Sequence, residues 1–102
     1  MVLNEKDARA QDEKIAALVV GELDSELRLL RATFMRDTAA RECAHLLEYV
    51  VGNLEKDWGI PDKEVAAMHR AVDLYTDAER THSACFDAYR LARIARAEAE
   101  SE

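Results

Sequence analysis

Two glutamate–histidine pairs, Glu42 with His45 and Glu79 with His82, come closest in this chain to a chemical site. Residues three apart lie on one face of a helix, so each carboxylate and imidazole could share one metal ion. The second pair has the sharper setting. Apolar residues at Val65, Met68, Val72, Tyr75, Phe86 and Tyr89 step by three and four, and the series carried across its gap lands on Glu79 and His82. An acid and a histidine on a face expected to be buried are costly unless they pair or bind something.

The spacing resembles that of the ferritin-like di-iron and di-manganese bundles, which carry Glu-x-x-His on two helices and a single Glu on each of two others. The resemblance is confined to the two motifs. It implies a ligand set of Glu26, Glu42, Glu79 and His82, with His45 beside it, for iron, manganese or zinc. Against it, the apolar face around Cys43 and Leu47 leaves Glu42 at its edge and turns His45 nearly the opposite way. A second subunit would have to supply the missing carboxylate. The stretch His45, Leu47, Gly52 and Leu54 also resembles a histidine phosphotransfer domain. Glu48 and Tyr49 stand where those domains carry a basic residue and a glycine, and they would repel and crowd a phosphate.

No glycine-rich phosphate loop, nucleophile elbow or zinc spacing occurs. Cys43 and Cys85 fall on or beside apolar faces, where a free thiol packs as a small hydrophobe, and the two stand too far apart along the helices for a disulfide. Arg70, Arg80, Arg90, Arg93 and Arg96, with Asp73, Asp77 and Asp87, read as ion pairs on a wet face. The expectation is therefore a protein that is not an enzyme and that needs no cofactor. The net charge of −7 argues against binding nucleic acid or an anionic membrane surface. The sequence has neither a membrane-length apolar run nor a secretory leader, which makes the cytoplasm the expected location.

The elements that would position these residues are helices. Three Gly and one Pro in 102 residues are too few turn formers for a β protein. Asn4 can cap a first helix with Glu5 and Asp7 in its first turn. Val20, Leu23, Leu27, Leu30 and Phe34 step 3-4-3-4, the pattern of a coiled-coil seam. Gly21 marks either a close approach of another backbone or a tolerated interruption. A second apolar set, Ala39, Cys43, Leu46, Leu47, Val50 and Leu54, lies roughly 150° around the helix from the first at about 100° per residue. One straight helix cannot bury both against one partner, so a break is expected near residues 35–38, with Asp37 or Thr38 capping the second helix. The other solution is one helix of about fifty residues that buries different faces along its length. Trp58-Gly59-Ile60-Pro61-Asp62 is a stop and a restart, with Gly59 in the left-handed cap conformation, Ile60 folded back and Pro61 in the next first turn.

These readings predict an all-α single domain over 1–102. It is an antiparallel three-helix bundle, about 4–35, 38–58 and 61–97, with loose ends at 1–4 and 98–102. A stripe of small residues on the long last helix (Ala67, Ala71, Leu74, Ala78, Cys85, Ala88 and Ala92) would let a second subunit come close, giving a homodimer and a larger helical bundle. The function expected is a small acidic interaction module, an adaptor, regulator or inhibitor with a protein partner. The ferritin-like metal bundle is the alternative.

Overall fold

A computed structural model describes residues 4–101. It contains two helices rather than three: α1, Glu5–Glu55, and α2, Asp62–Ser101. No strand occurs among the described residues. The three-helix bundle is thereby overturned. The break expected at 35–38 is absent because the groups that would have capped a new helix serve the old one. The Thr38 hydroxyl donates back to the Phe34 carbonyl at 2.9 Å, a bond that satisfies the side chain inside a continuing helix. The Asp37 carbonyl lies within reach of Arg41 Nε at 3.5 Å. With neither Gly nor Pro between 22 and 51, nothing in the backbone opposes one long helix.

The two ends of α1 have different chemistry. At the start, Asn4 Oδ1 accepts the Asp7 N–H at 2.8 Å and the Asn4 carbonyl accepts Ala8 N–H at 2.9 Å, the N-cap expected of an Asn followed by acids. At the other end, Asp57 N–H donates to the Leu54 carbonyl at 3.1 Å and Trp58 N–H to the Asn53 carbonyl at 2.8 Å. This pair of bonds is a Schellman stop, and its left-handed residue is Asp57 at φ 58°, not Gly59. Gly59 comes after the motif instead of forming it. Pro61 lies one residue before α2, where its carbonyl accepts the Glu64 and Val65 N–H groups at 2.9 and 3.1 Å. A left-handed Asp is strained relative to Gly. Asp57→Gly is therefore expected to raise stability by about 0.5–1 kcal/mol, read as a higher urea midpoint with an unchanged m-value.

The chain gathers into two compact units. The corner unit, Arg31–Ser83, holds the last part of α1, the turn and the first part of α2. The terminal unit pairs the segment ending at Leu30 with the segment beginning at Ala84. Each unit is a two-stranded antiparallel helix pair whose inward residues repeat every seven. In the corner unit, Ala32, Arg36, Ala39, Cys43, Leu46, Val50 and Asn53 of α1 face Met68, Ala71, Tyr75, Ala78 and His82 of α2. In the terminal unit, Gln11, Ile15, Leu18, Glu22, Ser25 and Leu29 face Cys85, Tyr89, Ala92, Arg96 and Ala99. A 4-3 alternation keeps one narrow stripe of each helix on its neighbour.

The end of α2 also differs from expectation. Residues 98–101 are helical, Ala99 is buried, and its carbonyl accepts the Gln11 Nε2 donor at 3.0 Å. Residues 1–3 and 102 lie outside the described residues. Gly21 brings no backbone close, since a Cβ there would meet nothing within 4 Å.

Candidate functional site

The seven-residue repeat of α2 splits the stripe that pointed to a metal. Met68, Tyr75, His82 and Tyr89 turn toward α1, whereas Val65, Val72, Glu79 and Phe86, one step around, stay on the more exposed side. Glu79 therefore stands on the wet side, where its carboxylate accepts the Tyr75 phenol at 3.2 Å. That bond, with the carboxylate charge beside it, raises the Tyr75 hydroxyl above its ordinary value. His82 is half-buried but has a different neighbour. Arg36 Nη1 lies 3.2 Å from His82 Nδ1 and 3.4 Å from Nε2, and the same guanidinium reaches Asp37 at 3.5 Å.

A fixed cation against the imidazole opposes a metal ion at that ring by simple repulsion. The other ligands of the expected set do not converge on it. Glu42 and His45 lie along an open groove of the corner unit with Arg41, Tyr49 and Arg70, and Glu26 is exposed on the terminal unit. Among the described residues no group of three or more His, Cys, Asp or Glu is placed to hold a metal ion. The donor set of the ferritin-like reading does not fit this structure. Cys43 and Cys85 are free thiols, each half-buried in its own unit.

The strongest polar cluster belongs to the terminal unit and has no signature in the sequence. Glu22 replaces an apolar residue in the seam, with only 13% of its side chain exposed, and accepts hydrogen bonds from Arg96 through Nε and, at 3.2 Å, through Nη2. Arg93 Nε stands 3.9 Å away, and Glu100 takes a third Arg96 nitrogen at 3.0 Å. The two-pronged bond from Arg96 holds the Glu22 carboxyl below its ordinary value of about 4.5 and raises the Arg96 guanidinium. A carboxylate with a depressed folded pKa stabilises the fold above its unfolded pKa and loses that effect as pH falls through the folded one. Wild type is thus expected to lose melting temperature relative to Glu22→Gln as pH drops below about 4.5, the difference between the two closing at strongly acid pH. A gap between the two melting curves that does not change with pH would refute this reading of the cluster.

The small-residue stripe sorts by the same repeat. Ala71 is buried and Ala67, Ala78, Cys85 and Ala92 are half-buried on the side toward α1, while Leu74 and Ala88 are exposed. One stripe of large apolar residues that is left bare lies on α1. Val20, Leu23, Leu27, Leu30 and Phe34 are each 54–66% exposed. Their 3-4-3-4 spacing, legible in the sequence as a seam, is real, but it lies on the face of α1 turned away from α2. The signal for this was also in the sequence, in the roughly 150° between the two apolar sets. No protein-family model, curated protein or solved structure matches the chain.

Proposed function

We propose that this chain is a small acidic, non-enzymatic interaction module that works as a homodimer and presents its helices to a protein partner. The observation that carries the reading is the exposed apolar seam of α1, Val20, Leu23, Leu27 and Leu30, each more than half exposed. Contiguous apolar surface at coiled-coil spacing marks a docking face. Area supports it as well. The chain exposes 8025 Å², where a folded chain of 11.5 kDa exposes roughly 5,800 Å². The excess, on the order of 2,000 Å² for one chain, exceeds the roughly 800 Å² that each partner buries in a standard interface.

The acidic balance suits a protein partner better than nucleic acid or an anionic membrane. No helix among the described residues is long and apolar enough to cross a membrane.

The test is sedimentation equilibrium of wild type and of Leu23→Glu/Leu27→Glu. Wild type is expected to be dimeric, and the variant to be weaker by about a hundredfold or more, since each Leu lost from a packed seam is worth over a tenfold in affinity. Circular dichroism should show helicity retained, because both positions face away from α2. A wild type that remains monomeric up to high micromolar concentration ends the proposal.

A further inference from the structure

The geometry points to a second copy of this chain as the occupant of the bare α1 seam, docked parallel and in register. This rests on the homodimer reading above and adds the face and the orientation to it. Taken as a coiled-coil seam, the stripe has Val20, Leu27 and Phe34 in one kind of core position and Leu23 and Leu30 in the other. The large apolar residues give way to Ala16 and then Glu13 on one side and to Asp37 on the other, so the seam supports about two heptads and fixes where the second copy can lie.

The charges on its flanks choose between orientations. Asp24 is held within the chain by Arg28 at 3.0 Å. Glu26 and Arg31 are exposed and have no ion pair among the described residues. They are five residues apart on opposite flanks of the seam. In a parallel in-register pair that spacing sets Glu26 of each copy beside Arg31 of the other, giving two equivalent ion pairs about a two-fold axis. An antiparallel pair offers less. One register brings Asp24 against Asp24 and Glu26 against Glu26, and the other leaves Glu26 without a cation and pairs Arg31 with an Asp24 that already holds Arg28.

The experiment is charge reversal with re-mixing, read by sedimentation equilibrium at low salt on the full chain. Glu26→Arg alone and Arg31→Glu alone each place two like-charge contacts in the homodimer and are expected to weaken it about tenfold. Mixed in equal amounts, they restore both pairs, and the heterodimer should associate at least as tightly as wild type. Weakening by Arg31→Glu but not by Glu26→Arg indicates the antiparallel arrangement and overturns the inference. Dimers indifferent to both changes place the interface elsewhere, which overturns the inference while leaving the homodimer intact. A monomeric wild type removes both. Each position is exposed on a continuous helix, so unchanged helicity by circular dichroism shows that the variants fold.

Discussion

Ala71→Glu is expected to cost about 3 kcal/mol or more and to shift the unfolding midpoint far below that of wild type, whereas Ala66→Glu on the exposed side of the same helix changes it by less than about 0.5 kcal/mol. Ala71 is only 6% exposed and borders Leu46 and Cys43 of the corner unit. A glutamate there brings both an unpaired carboxylate and its longer side chain into a space sized for a methyl group. The two variants change composition and charge identically, so the difference between them reports the seam alone. Equal urea midpoints for Ala66→Glu and Ala71→Glu would mean that α2 does not present Ala71 to α1.

The second large effect has the opposite sign. Arg36 and His82 form a polar layer in a seam that could be apolar, and the arginine keeps 30% of its side chain exposed. Arg36→Leu with His82→Leu is expected to raise stability by about 2 kcal/mol, the value of burying two leucines to a little over half their full extent. The gain carries a cost in specificity. Polar layers fix helix register, and a seam with only small or aliphatic residues can slide by a heptad. Thermal melting of the double variant should move upward while its amide NMR spectrum broadens or doubles. A lower melting temperature would show that the Arg36–His82 contact is worth more than the apolar burial that replaces it.

The helical class and the corner are readable because they rest on local rules. Scarce Gly and Pro, the Asn4 cap and the Trp58–Asp62 stop all act within one or two turns of chain. What misleads the count of helices is an assumption about burial. If Val20 through Phe34 face the same core as Cys43 and Leu46, two faces 150° apart demand a break. The chain instead keeps one helix and leaves the first face bare, while seam residues such as Ser25 and Ala32 are small and look weak in a hydropathy pattern. Small side chains bring backbones together without advertising it. For the same reason the Glu79–His82 pair is legible as an anomaly but not as what it is. A six-residue series at mixed three and four spacing contains two adjacent heptad rows, and only the pairing with α1 decides that His82 turns in and Glu79 turns out. Glu22 is silent in the sequence because its partner Arg96 is 74 residues away.

Only Ala32, Val50, Ala71 and Ala99 count as buried apolar residues among those described, and no side chain is fully enclosed. In the homodimer proposed above, a chain that shelters so little of itself would draw much of its stability from its second copy, and such stabilisation obeys mass action. Its melting temperature would then be a property of the solution as much as of the molecule, climbing with protein concentration where a self-sufficient domain would hold still.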